Sequence, residues 1–162
     1  MSTTERTGRS AVPAPAAPPR WPAVTTLVLG VLGLAVAIYL TLEHYTSSTT
    51  LACPETGVIN CQKVTTSAES SVFGIPVALL GLIFFVVMLP LCLPAAWRSA
   101  RPEVRWGRLA FALVGVGFVI YLVYTELFTL DAICLWCTAV HVITVLLFAV
   151  VAMGTATVTT GD

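Results

Sequence analysis

Apolar residues run along this chain in four long blocks separated by polar stretches. The first, Ala23 to Leu42, is uncharged for 20 residues. A helix of that length crosses a hydrocarbon core of about 30 Å. "YLTLEHYTSS" at its end offers no clear cleavage pattern, so the block reads as a retained span rather than a secretory signal. The second block is Phe73 to Ala95, entered through "FGIP", where Gly74 and Pro76 suit a turn leading into a helix. The third is Trp106 to Phe128 and the fourth Ala132 to Met153. Only Thr129 to Asp131 separate these two, which predicts an antiparallel pair of helices. Residues 1–22 carry Pro13, Pro15, Pro18, Pro19 and Pro22 among small and polar residues and predict a disordered tail; residues 154–162 are expected to form a short C-terminal tail beyond the last span. The expected fold class is an all-α integral membrane protein, a four-transmembrane-helix bundle with a polar loop, residues 43–71, between helices one and two.

Composition supports a bilayer as the solvent. The chain is 57% hydrophobic and only 10% charged, with a mean hydropathy of +0.93, too little charge to cover a soluble domain of 162 residues. No basic patch with interleaved aromatics is present, so nucleic acid is not an expected partner. Net charge is zero, yet the cations are unevenly spread. Arg6, Arg9 and Arg20 precede the first block, and Arg98, Arg101, Arg105 and Arg108 lie between or just within the second and third. Lys63 alone lies on the other side. Seven against one predicts a plasma-membrane protein with both termini cytoplasmic and the 43–71 loop outside.

That orientation puts four of the five cysteines at one surface, the one that tolerates disulfides. Cys53 and Cys61 are in the outer loop, and Cys134 and Cys137 open the fourth helix. Cys92, in "MLPLCLP" at the cytoplasmic end, reads as a small buried hydrophobe. A four-thiolate zinc site lacks the tight spacing in one half and suits an oxidising compartment poorly, so no metal is expected. Haem attachment requires a His after the Cys-x-x-Cys pair, where Thr138 stands. A structural disulfide is a real alternative for the loop pair, worth about 2–4 kcal/mol. It suits Cys134 and Cys137 less well. Cysteines three apart on a helix close a small strained ring that is readily reduced, and a helix N-terminus stabilises a thiolate. Their arrangement reads as a redox relay.

The combination "CPETGVINCQKVTTSAESSVFGIPVALLGLIFF" and "CLWCTAVH" resembles the bacterial vitamin K epoxide reductase homologues over roughly residues 25–153. The resemblance implies a four-helix membrane thiol oxidoreductase that takes electrons from a secreted thioredoxin-like (DsbA-like) oxidase and passes them to a quinone of the menaquinone or ubiquinone type. It implies that Cys53 exchanges with the partner, that Cys61 hands electrons to Cys134, and that Cys137 faces the quinone. By the same resemblance Ser67, which helps hold the site, and Phe73, which with Gly74 opens helix two, are quinone-binding residues together with His141. His141 stands where relatives often carry a hydrogen-bonding residue such as Tyr against a quinone oxygen; an imidazole serves the same purpose or supplies a proton. The Asn that some relatives use near helix two has no counterpart in "FGIPVALLG". The alternatives are a quinone-epoxide reductase using the same cysteines, or a membrane scaffold whose disulfides are structural; interior charges or broken helices that would suit a transporter are lacking. Among other polar residues, Glu126, Glu43 and His44 read as snorkelling to the interface, and Asp131 as the cap of helix four.

Overall fold

Helices are where the apolar blocks predict them, but their ends are set by proline, turn geometry and capping rather than by hydropathy. The structure, a computed structural model, describes residues 20–46, 52–53, 56–99 and 101–159. The disordered tail read over residues 1–22 therefore lies outside the described residues up to position 19. Helix α1 spans Trp21–Thr46. It starts inside that supposed tail because Pro22, in the first turn, forfeits only an amide that has no helical partner there. It also continues past Leu42 through Glu43 and His44, residues read as loop.

The second block departs most from expectation. Its first residues are not helical but form a small antiparallel hairpin, β1 (Ser71–Val72) and β2 (Ile75–Pro76). Phe73 and Gly74 make its two-residue turn with φ of 53° and 78°, the double positive-φ pattern of a type I′ turn. Helix α3 then runs Val77–Cys92. It ends where Leu93, forced extended by Pro94, can no longer be helical, and the single turn α4 (Pro94–Trp97) follows. Arg108 answers one of the carbonyls left open at this end, its Nη1 donating to Leu91 O at 3.2 Å.

Helix α5, Pro102–Phe128, begins four residues before Trp106, with Pro102 in its first turn. Its last carbonyls are taken by the amides of Thr129 and Leu130 on Thr125 O, both at 3.0 Å, and of Ala132 on Glu126 O at 3.1 Å. The connection is therefore six residues, Thr129 to Cys134, rather than three. Helix α6 spans Leu135–Thr159, so residues 154–159, read as tail, are helical. Between α1 and β1 lie the six-residue α2 (Cys61–Thr66) and a 3-10 turn at Ala68–Ser70. Asn60 caps α2, its side chain accepting from the Lys63 amide at 2.8 Å.

The four long helices close a ring: α1 packs on α3 and α6, and α5 on α6 and α3. Phe85, Met88, Leu147 and Val151 are buried at its centre. Gly33 of α1 lets the Phe85 ring lie directly on its backbone, where a Cβ would collide with it. Large apolar side chains such as Val28, Leu32, Val114, Ile120 and Leu146 point outward. Helices α1, α5 and α6 (the last over Leu135–Thr157) are long and apolar enough to cross a membrane; α3, at 16 residues, is a shorter apolar helix.

Candidate redox site at the loop end of the bundle

Backbone pairing brings the loop onto the start of α6. Ile59 and Ile133 form a parallel bridge: the Ile133 amide donates to Val58 O at 2.9 Å and the Asn60 amide to Ile133 O at 3.1 Å. Lys63 Nζ donates to Leu130 O at 2.6 Å. Trp136, between the two cysteines of α6, donates its indole N–H to Ala52 O at 3.0 Å and packs on Tyr39, ring centres 4.9 Å apart. The Tyr39 hydroxyl accepts in turn from the Ala52 amide at 3.2 Å. The residue before Cys53 is thus held from both sides.

This clamp collects four sulfurs in one cluster. Cys61 and Cys134 are fully buried with Val64 and Ala132, and Cys53 and Cys137 pack against them. Cys53 and Cys61 are joined as a disulfide, and Cys53 is its more exposed half. Cys134 and Cys137 are free thiols. Cys134 takes the position that Asp131 was expected to fill. Its carbonyl accepts the first helical bond, from the Thr138 amide at 2.8 Å, and its sulfur accepts from the Cys137 amide at 3.2 Å. A sulfur therefore caps the helix as a Ser or Asp oxygen ordinarily does. Asp131 instead sits exposed in the connection at φ 47°.

The Cys137 thiol donates to the Cys134 sulfur across 2.6 Å. That bond is the main reason the Cys134 thiol lies below its ordinary 9.0. The Cys137 and Trp136 amides at the helix start pull it the same way, while burial and the nearby Glu126 carboxyl oppose them. The capping sulfur is thus the member of the pair that ionises first.

Beneath the pair lies a mostly apolar cavity of about 360 Å³, walled by α1, α3, α5 and α6 and roofed by the loop at Val64, Thr65 and Ser67. Cys137 and His141 are on its wall. His141 is only 6% exposed, one turn below Cys137. Ser67 lines the roof, its hydroxyl donating to Val64 O at 3.0 Å. Phe73, expected among the quinone-binding residues, is not on this cavity wall. The positive-φ turn carries its ring fully into the open, away from the cavity wall.

Glu126, read as snorkelling to the interface, is buried at 6% exposure and lines the cavity beside Thr125. Its carboxyl lies against the Cys134 amide and within electrostatic reach of both thiols. The available signal was its isolation, as the sole acidic residue in the apolar stretch Leu109–Phe128. Nothing in the hydrophobic pattern marked Trp136 or Tyr39 as the clamp.

A cavity of this size and lining, apolar with a few converging polar groups, suits a small, mostly apolar organic ligand. Residues 24–152 match the vitamin K epoxide reductase family. No curated protein matches the chain.

Proposed function

The chain belongs to the vitamin K epoxide reductase family, and on that premise we propose that it reoxidises a secreted thioredoxin-like (DsbA-like) partner and delivers the electrons to a quinone. Membership makes it a membrane oxidoreductase; the partner, the route and the acceptor are our reading. Four crossings, with α3 and α4 together as the second, accord with the closed ring of helices: α3 alone rises about 24 Å. Cytoplasmic termini are supported by the arginines at the α4–α5 end, opposite the cysteine cluster.

The single observation carrying the relay is that all four outer cysteines share one cluster whose deepest member, Cys137, opens on the cavity. A partner thiolate attacks the loop disulfide at Cys53, the more exposed sulfur, and Cys61 leaves as thiolate. The partner's second thiol then releases Cys53, so the partner leaves oxidised and the loop pair reduced. Cys61 next attacks an oxidised Cys134–Cys137 pair at Cys134, its neighbour in the cluster, and Cys53 resolves that mixed disulfide. The inner dithiol is now charged and the loop disulfide restored, the distribution of bonds described above. A bound quinone supplies a two-electron, two-proton sink. Cys137 and His141 hold it from the α6 side, and the loop roof at Ser67 excludes water from it.

The test is quinone reduction by the purified protein, driven by a reduced thioredoxin-like protein. Cys61→Ala and Cys137→Ala should each abolish it, and a partner lacking its second, resolving cysteine should be trapped in a disulfide with Cys53 of the otherwise wild-type protein, whose loop disulfide it opens. Full activity in both variants would sink the relay.

A further inference from the structure

Oxidising a dithiol to a disulfide releases two protons as well as two electrons, and of the two thiols here Cys134 is fully buried while Cys137 is half-buried on the cavity wall. Some group beside them must take up and forward a proton. We propose that Glu126 and His141 form that proton relay, with Glu126 accepting the proton from the thiol pair and His141 delivering it toward the quinone. The inference rests on the proposed quinone reduction and names residues that give it a proton path.

Three observations support it. Glu126 and His141 are each 6% exposed, although ionisable groups at membrane depth are costly to keep without a purpose. The Glu126 carboxyl meets the Cys134 amide and feels both thiols, so it stands where the proton is released. His141 follows Cys137 by one turn on the same face, so it stands further along the cavity. The two residues also line a second cavity, of about 440 Å³, between α5 and α6, bounded at the loop end by Ile133 and Thr138. They are therefore the polar seam between the cavity and this outward-facing, otherwise apolar groove.

The step balances. Both S–H bonds break and the Cys134–Cys137 disulfide forms; its electron pair leaves with the acceptor. The Cys134 proton passes to Glu126 and on through His141, and the Cys137 proton leaves directly into the cavity that its sulfur lines. On that cavity wall the other titratable groups among the described residues are His44 of α1, Glu69 of the 3-10 turn and the Cys137 thiol.

Glu126→Gln gives opposite signs for the two roles the carboxyl can have. Removing a negative charge makes the Cys134 thiolate easier to form, so a carboxyl that acts only by its charge slows the couple, and its loss speeds it. A relay carboxyl does the reverse. Two readouts decide this in the full-length protein. The first, without quinone, is the pH titration of thiolate absorbance in the reduced protein, which Glu126→Gln should move to lower pH. The second is single-turnover quinone reduction, which the same variant should slow by about a hundredfold, the usual scale for a lost acid–base group. Glu126→Asp should recover at least tenfold of that loss, separating chemistry from packing. Exchange between the loop disulfide and a reduced thioredoxin-like protein should stay within threefold in both variants. Quinone reduction by Glu126→Gln at or above the wild-type rate overturns the relay, as does equal slowing of quinone reduction and loop exchange. A wild-type protein that exchanges thiols but never reduces a quinone overturns the functional reading beneath it instead.

Discussion

Replacing Trp136 tests whether the loop is held on α6 by the contacts that collect the four sulfurs. Trp136→Phe keeps an aromatic ring against Tyr39 but loses the bond from the indole N–H to Ala52 O. A neutral hydrogen bond contributes about 1 kcal/mol net, which is roughly fivefold in the docking equilibrium. Trp136→Ala also loses the ring contact, about 0.5–1.5 kcal/mol, together with the apolar area of a half-buried indole. The total is about 2–3 kcal/mol, roughly a 30- to 150-fold shift toward the undocked loop. Hydrogen exchange at the Asn60 amide reads that equilibrium, because its bond to Ile133 O opens only when the loop leaves. Protection at Asn60 should therefore fall by about fivefold in the Phe variant and by 30- to 150-fold in the Ala variant. Amides in the middle of α5 should not change. Protection within twofold of wild type in Trp136→Ala refutes the clamp, and an effect in Trp136→Phe as large as in Trp136→Ala refutes the division between bond and ring.

Alkylation of the reduced α6 pair should show a pH midpoint below 9.0, since the donated Cys137 S–H favours the Cys134 thiolate. Cys137→Ala removes that donor, so the midpoint should rise; a midpoint that stays or falls contradicts the assignment. Gly33→Ala drives a methyl group into the buried Phe85 ring and should cost about 1–3 kcal/mol in thermal unfolding of the purified protein. Gly81→Ala, whose Cβ meets nothing within 4 Å, should lie much closer to wild type.

Much of the fold is legible in the sequence because the solvent for these helices is apolar, and long uncharged runs have few other ways to satisfy their backbone. Helix ends are less legible. Hydropathy marks where side chains favour lipid, whereas Pro22, Pro94 and Pro102 decide where helical bonding starts or stops. The segment around Phe73 misleads for a related reason. Hydropathy counts Phe73 into the apolar block, but the turn that Gly74 suits carries the Phe73 ring outward. The cysteines are legible because spacing and side of the membrane constrain thiol chemistry. Glu126 is harder, because the same residue on another face of α5 would only snorkel; burial is a property of the packed bundle. The sulfur cap at Cys134 is harder still. Asp131 is the better capping residue by type, and only the six-residue connection reserves the position for a thiol.

The pairing of Ile59 with Ile133 is made almost wholly from main-chain groups, with the Val58 side chain left exposed while its carbonyl holds the Ile133 amide. Docking of the loop is consequently nearly blind to which side chain Val58 carries, whereas the backbone of Gly57, at φ 54°, favours glycine. Val58 is free to drift, or to be rewritten by design, while the register that sets Cys61 beside Cys134 stays fixed. The character of the outer surface and the internal register are separable traits here, carried by the side chain and the backbone of the same residue.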